Sequence, residues 1–184
     1  AISDGSTTIS YTGLEPVLDA MPAVARAFNF TAGAEAVTMT QPGQGGLANK
    51  IGSNLSETIS FNSPTGGLTI DVTAGTGADA IRIEGVAAGF NANLTITGGN
   101  DDSLTFQTAG TNIGAGNLSA TAASISFAAN FATSGDAVLT ALAGGGQGDA
   151  DDGAANITGT HRTITVAGEG NPIGSSETDR LEIN

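Results

Sequence analysis

Short runs in which apolar and polar residues alternate are the feature that most constrains the fold of this chain. They recur from residue 7 to residue 183, and each run covers only four or five residues. Alternation with a period of two is the pattern of a β-strand that buries one of its faces. Glycine, asparagine, aspartate, serine and proline separate the runs, and these residues permit tight turns. The pattern predicts an all-β protein built from many short strands.

The spacing of these strands favours a coil over two facing sheets. The inward-facing pairs begin 13, 13, 10, 14 and 7 residues apart, and they are Leu68/Ile70, Ile81/Ile83, Leu94/Ile96, Leu104/Phe106, Leu118/Ala120 and Ile125/Phe127. Three successive strands then occupy about 20 to 26 residues, which is the length of one coil of a parallel β-helix. We therefore predict a single β-solenoid domain over residues 1–184, with a β-sandwich as the second choice.

The segment 14–28 is the exception to the alternating pattern. Apolar residues recur there at helical spacing from Leu14 to Met21, but Pro16 and Pro22 limit a helix to about one turn. We expect a short helical or irregular segment near the N-terminus that forms a cap or a cover over an apolar surface.

Composition agrees with a narrow core and excludes several classes of partner. Glycine supplies 28 of the 184 residues, only 12% of residues are charged, and there is no tryptophan. The net charge of −13 argues against nucleic acid and against an anionic membrane surface. The absence of cysteine excludes disulfides and thiolate metal sites. No apolar run approaches the ~20 residues of a transmembrane helix, so we expect no membrane insertion.

Two stretches resemble repeat units of a known class of protein. They are "ISYTGLEPV" at 9–17 and "AGFNANLTITGGNDDSLTF" at 88–106, and a Gly- and Asp-containing turn with an alternating strand lies between them. In this pattern the chain resembles repeat units of very large exported bacterial β-helical surface proteins of the haemagglutinin and adhesin type. The resemblance implies an extracellular or cell-surface location and a structural or adhesive role.

Three aspartates in two turns are candidate calcium ligands. The stretches at 75–81 and 98–104 partly match the glycine–aspartate repeat of calcium-binding β-rolls, but they lie 23 residues apart, so a true roll is excluded. If the two turns stack across one coil, Asp79, Asp101 and Asp102 come close together and can offer oxygen ligands to Ca²⁺. The competing interpretation is a solvated corner between two strands.

A second acidic cluster lies in the Gly/Asp-rich segment 142–156, which we predict to be a loop. Asp149, Asp151 and Asp152 precede Gly153 and are similar to the first half of a calcium loop. Their spacing does not match the full pattern of an EF-hand. An exposed loop and a calcium site are therefore both kept as interpretations.

The sequence does not indicate an enzyme. His161 is the single histidine, and there is no Gly-x-Ser-x-Gly elbow for a nucleophilic serine. Arg82 lies beside Glu84 on one alternating strand, but no second base is placed near it by the repeat spacing. A hydrolase would need two carboxylates across a cleft, which no pair of residues indicates.

We expect a structural role, because a β-helix presents unpaired backbone groups at its two ends. The expected partners are identical subunits or adjacent repeats, stacked end to end in a filament or a long surface adhesin. The alternative is an adhesin module with calcium-stabilised turns that binds surface glycans. A threonine-rich face would suit adhesion, but the outward residues vary too much to predict a regular array; they are Thr69, Asp71, Arg82, Glu84, Thr95 and Thr105.

Overall fold

A computed structural model describes residues 2–3, 8–9, 16–107, 111–142, 149–151, 157–158 and 162–166, and these residues form an all-β structure. The first strands are β1 (Ile2–Ser3), β2 (Thr8–Ile9), β3 (Val17–Asp19), β4 (Ala25–Asn29), β5 (Ala36–Thr40), β6 (Asn49–Ser53), β7 (Ile59–Phe61), β8 (Gly67–Asp71) and β9 (Ala80–Ile83). The next are β10 (Asn93–Thr97), β11 (Ser103–Phe106), β12 (Thr111–Asn112), β13 (Leu118–Ala122), β14 (Ser124–Phe127) and β15 (Phe131–Ala132). The last are β16 (Ala137–Ala141), β17 (Asp149–Asp151), β18 (Ile157–Thr158) and β19 (Arg162–Val166).

Most of these strands belong to sheets with parallel pairing. A six-stranded sheet has the order β19-β16-β13-β10-β8-β4, and every pair in it is parallel. An eight-stranded sheet has the order β17-β14-β11-β9-β5-β6-β7-β3, and only its β5–β6 and β6–β7 pairs are antiparallel. A three-stranded parallel sheet contains β12, β15 and β18. The prediction of an all-β protein is confirmed, and its large sheets are mainly parallel.

The strand register aligns apolar residues in columns that fill the core. Leu68, Leu94 and Leu118 are successive partners in the six-stranded sheet, and each is at most 1% exposed. In the eight-stranded sheet Phe106 pairs with Phe127, and their rings stack with centroids 4.5 Å apart. Because side chains on a strand alternate between its two faces, one in-register column buries every second residue of each strand.

The expected helical or irregular segment at 14–28 contains no helix in its described part, residues 16–28, and only Pro16 and residues 20–24 are irregular. The rest of this part is β3 and most of β4, and β4 alternates exposed and buried residues in the way that a strand does. Pro16 and Pro22 explain why a helix is unfavourable here, because a proline inside a helix removes a hydrogen bond and clashes with the preceding turn. The segment supplies the edge strands of the two large sheets, with β4 beside β8 and β3 beside β7.

Strand β4 brings a buried ion pair to this end of the core. Arg26 is the register partner of Leu68, so it occupies the column that leucines fill in the next three strands. Its guanidinium forms an ion pair with buried Asp19, and its Nε donates to the Asn62 carbonyl oxygen at 3.2 Å. It also lies over the Phe61 ring, 5.6 Å from the centroid. Arg26 therefore ends the apolar column with a charge whose polar groups are satisfied.

The predicted loop at 142–156 is in part a strand. Asp149–Asp151 forms β17, which pairs in parallel with β14 through Ser124, Ile125 and Ser126. Backbone pairing with β14 accounts for the difference, because the main-chain N–H and C=O groups can join a ladder whatever the side chains are. Residues 143–148 and 152–156 lie outside the described residues.

Candidate functional site

Three buried acidic residues form a column at the corner where the chain passes from the six-stranded to the eight-stranded sheet. Glu35, Asp79 and Asp102 each directly precede a strand, namely β5, β9 and β11. Parallel pairing of those strands places the three residues at equivalent positions of the corner. They are only 2–3% exposed, which is rare for carboxylates unless they have partners. We call Glu35, Asp79 and Asp102 the acidic corner.

Hydrogen bonds to the main chain hold the acidic corner together. The Asp79 N–H donates to Asp102 Oδ1 at 2.8 Å, and the Glu35 N–H donates to Asp79 Oδ1 at 2.5 Å. Each aspartate side chain thus accepts a hydrogen bond from the backbone of the adjacent strand's corner. Asp102 Oδ2 also accepts from the Gly99 N–H at 2.5 Å. The carboxylates therefore take the place of the regular ladder bonds where the chain bends.

Glu35 ends the column at the side of the antiparallel strands. Its Oε2 accepts from the Ala32 N–H at 3.0 Å, and its Oε1 accepts from the Ser53 hydroxyl at 2.6 Å. The hydroxyl connects the acidic corner to β6. At the other side, the column stops at Ala123, whose N–H donates to the Asp102 carbonyl oxygen at 3.0 Å.

Asp79 has the least favourable position for a charge. Burial raises the pKa of its carboxyl, and the hydrogen bond from the Glu35 N–H opposes this rise. The neighbouring carboxylates of Asp102, Glu35 and Asp101 raise the pKa of Asp79 further. Its Oδ2 accepts no hydrogen bond from any described residue. Asp79 is therefore the member of the corner that gains most from binding a proton.

The structure brings together only two of the three aspartates predicted from these turns. Asp79 and Asp102 are buried neighbours in the acidic corner, whereas the Asp101 side chain is exposed beside it. Among the residues that the structure describes, no three acidic or histidine side chains are arranged to hold a metal ion. Four of the six carboxylate oxygens of Glu35, Asp79 and Asp102 that could serve as ligands accept backbone N–H groups, and a fifth accepts a serine hydroxyl. We therefore assign the acidic corner a structural role.

Only part of the second set of predicted calcium ligands lies within the residues that the structure describes. Asp149 and Asp151 belong to β17, the edge strand of the eight-stranded sheet, and Asp152 lies outside the described residues. His161 also lies outside them.

The outer face of the six-stranded sheet carries two rows of small hydroxyl-bearing residues. The register aligns Thr69 with Thr95 and Ser119 in one row, and it aligns Thr97 with Thr121 and Thr140 in the other. Neighbours in a row lie on adjacent strands, about 4.8 Å apart, and the two rows are about 6.6 Å apart along each strand. We call these six residues the hydroxyl face. Its members are partly or fully exposed, and no described residue hydrogen-bonds to their hydroxyl groups.

The expectation that the outward residues are too varied for a regular array holds beyond these six positions, because Asp71 aligns with Thr97 and Val138 aligns with Ser119. Arg82, which contributed to that expectation, belongs to the eight-stranded sheet, where it pairs with Thr38 and Thr105. Outward residues of the two sheets follow one another in the sequence, because the chain contributes a strand to each sheet in turn.

Comparison with protein-family models, with curated proteins and with solved structures finds no match for this chain. In the part of the chain that the structure covers, no helix has the length and apolar character needed to cross a bilayer. The function must therefore be argued from the arrangement of the residues themselves.

Proposed function

We propose that this chain is a β-solenoid unit of an extracellular structural protein, which stacks into a filament or forms part of a long surface adhesin. The observation that carries the proposal is the repeated parallel register. Leu68, Leu94, Leu118 and Ala137 are successive partners, at intervals of 26, 24 and 19 residues. Such intervals are those of a chain that returns to the same sheet once per coil. A stack of this kind is a rigid rod and needs no catalytic cleft.

Both ends of the stack present edge strands with an arginine at the same column position, Arg26 in β4 and Arg162 in β19, and they differ in the antiparallel strands β6 and β7. At the N-terminal side, the antiparallel strands β6 and β7 extend the eight-stranded sheet, and the Arg26–Asp19 ion pair closes the apolar column. At the other side, β17, β18 and β19 are each paired on one side only, within the described residues. An edge strand offers its free N–H and C=O groups to another strand. The edge of β17, β18 and β19 therefore suits a further coil, from the same chain or from another subunit.

Imaging of the concentrated protein tests this proposal. We expect cryo-electron microscopy to show rods of uniform width, with layers about 4.8 Å apart along the long axis. The layer spacing reports on the coil, and the rod length reports on end-to-end stacking. Compact particles without the axial repeat would contradict the proposal.

A second candidate function, binding to a regular surface, is favoured by the hydroxyl face. Rows of hydroxyl groups at fixed spacing can hydrogen-bond to a repeating surface, such as crystalline polysaccharide or ice. The six residues carry no charge, so no strongly hydrated group has to lose its water on contact. This function needs the same stacked strands, because only the register produces the rows.

Thr121→Lys tests the second candidate, because it places a long charged side chain in the middle of the hydroxyl face. We expect at least about a tenfold loss of binding to insoluble cellulose or chitin, or of ice-recrystallisation inhibition, since desolvating an ammonium costs more than 1.4 kcal/mol. Thr105→Lys is the matched control on the eight-stranded sheet and should bind like the unmodified protein. Equal activity of the two variants, or no activity of the unmodified protein in either assay, would rule out this function.

A further inference from the structure

An open polar groove lies on the outer face of the eight-stranded sheet, apart from the acidic corner and the hydroxyl face. Its volume is about 330 Å³. It crosses β9, β5 and β6 and reaches the turn between β6 and β7. Its polar lining is Thr38, Thr40, Lys50, Ser53, Asn54, Thr58 and Glu84, of which Ser53 is already hydrogen-bonded to Glu35. A volume of this size is at the lower end of the range of small-molecule sites.

The groove lies where the pairing changes direction and where one position lacks a side chain. Strand β6 runs antiparallel to β5, and Gly52 is the partner of Thr38. Gly52 also packs against the next strand so closely that a Cβ atom there would lie 3.0 Å from Thr58 Cα. Gly52 therefore lets the chain at Thr58 come close to β6 at this side of the groove. On one rim, Asn54 Oδ1 accepts the Ala36 N–H at 2.6 Å, which fixes the Asn54 amide at the groove.

The polar groups that face the groove are largely unused. The side chains of Thr38, Lys50, Thr58 and Glu84 make no hydrogen bond or ion pair with any described residue, although all four are partly buried. The Lys50 ammonium and the Glu84 carboxylate do not approach within 4.0 Å of each other. At deeper positions, the charged side chains of Arg26 and Glu35 have partners. The groove therefore contains hydrogen-bond donors and acceptors that no described residue satisfies.

We propose that this groove binds a neutral saccharide unit. A pyranose ring presents hydroxyl groups in several directions, each able both to donate and to accept, as the mixed lining requires. Glu84 accepts sugar hydroxyls, Lys50 donates to sugar oxygens, and the threonines do both. Hydrogen bonds that involve a charged partner are the stronger ones, so Glu84 and Lys50 supply most of the affinity.

The charges of the lining decide between saccharide classes. One cation and one anion leave the groove neutral overall, so an acidic sugar would bring its carboxylate towards Glu84 in a protein of net charge −13. A neutral sugar is repelled neither by the Glu84 carboxylate nor by the net negative charge of the protein. The inference goes beyond the structural function proposed above and does not depend on filament formation.

Saturation-transfer NMR and titration calorimetry test the proposal with methyl glycosides of glucose, galactose and N-acetylglucosamine, and with cellobiose. Methyl glucuronide and glycylglycine serve as the anionic and zwitterionic comparisons. We expect at least one neutral sugar to bind with a dissociation constant on the order of 1 mM, which is typical of a small ligand in an open site. Glu84→Gln should weaken it at least about tenfold, and Thr38→Val about threefold or more.

Thr105→Val is the matched control, because Thr105 is a partly exposed strand threonine of the same sheet that lies outside the groove lining and outside the hydroxyl face. It should leave sugar affinity within about twofold, since it lies outside the groove. Unchanged melting temperatures would show that the groove variants are folded. No saturation transfer from any neutral sugar, tighter binding of the glucuronide or the dipeptide, or equal affinity of Glu84→Gln and the unmodified protein would each overturn the proposal. Imaging of the rods tests the structural function separately.

Discussion

At the scale of single residues, the protein uses its few buried charges to complete backbone hydrogen bonding where regular strands stop. Asp79 and Asp102 each accept a backbone N–H from the adjacent corner. An unpaired buried N–H group costs about 1–3 kcal/mol, so these side chains make the bends tolerable. Asp79 bears the opposing cost, because its charge is buried beside other carboxylates.

Asp79→Asn should stabilise the protein at neutral pH, and the gain should disappear in acid. Asparagine keeps an oxygen for the Glu35 N–H and removes the buried charge. The folded-state pKa of Asp79 is raised above its ordinary value of 3.8, so the unmodified protein gains stability as pH falls through the raised pKa. The difference in unfolding free energy between variant and unmodified protein should therefore shrink from pH 7 towards pH 4, as measured by urea denaturation.

Asp101→Asn is the control for this experiment, because the Asp101 side chain is exposed and outside the column. It should change the unfolding free energy by less than about 0.5 kcal/mol at either pH. A destabilising Asp79→Asn at pH 7, or a difference that grows in acid, would show that the charge of Asp79 favours the fold.

The sequence predicted part of the acidic corner and missed one member. Asp79 and Asp102 stand out because glycine-rich turns precede them, but Glu35 lies in a stretch with no such turn pattern. A usable signal was the similarity between "GAEAV" at 33–37 and "GADAI" at 77–81, which places both acids two residues before a buried apolar residue. Exposure of Asp101 could not be predicted, because adjacent aspartates look equivalent until the strand start is fixed.

At the scale of elements, β4 shows how the sheet ends. Its inner position is Arg26 where the following strands have leucine, and Asp19 from β3 neutralises it. The edge strand thus replaces apolar contact by a satisfied ion pair. Helical spacing of apolar residues at 14–21 was misleading, since the prolines and the alternation from Ala25 onwards decide the local structure.

Arg26→Leu should destabilise the protein by about 3–5 kcal/mol, because Asp19 would remain buried without a partner. Adding Asp19→Asn should recover most of this loss, since asparagine keeps an acceptor for the Met21 N–H, which Asp19 Oδ1 binds at 3.0 Å. Thermal and urea unfolding of the two single variants and the double variant measure the coupling. Additive losses in the double variant would mean that the two side chains do not act as a pair.

At the scale of the whole molecule, the account depends on columns of residues brought together from distant parts of the chain. The alternation and the spacing of inward residues predicted strands and parallel stacking well, because both follow from the period of a strand. The antiparallel strands β6 and β7 could not be predicted in the same way. Strand β7 alternates like the others, but β6 has Ile51 as its single large apolar residue, and direction is set by the short connections at 41–48 and 54–58.

Disulfide formation across adjacent strands tests the central claim most directly, and the chain has no cysteine of its own. Thr95 and Ser119 are register partners on the outer face of the six-stranded sheet, about 4.8 Å apart, which is within the Cα range of a disulfide. Val138 is the partner of Ser119 and lies two strands from Thr95, which is beyond that range. The account predicts that Thr95→Cys/Ser119→Cys oxidises to an intramolecular disulfide while Thr95→Cys/Val138→Cys stays reduced. Failure of the first pair to bridge, or bridging of the second pair alone, would contradict it.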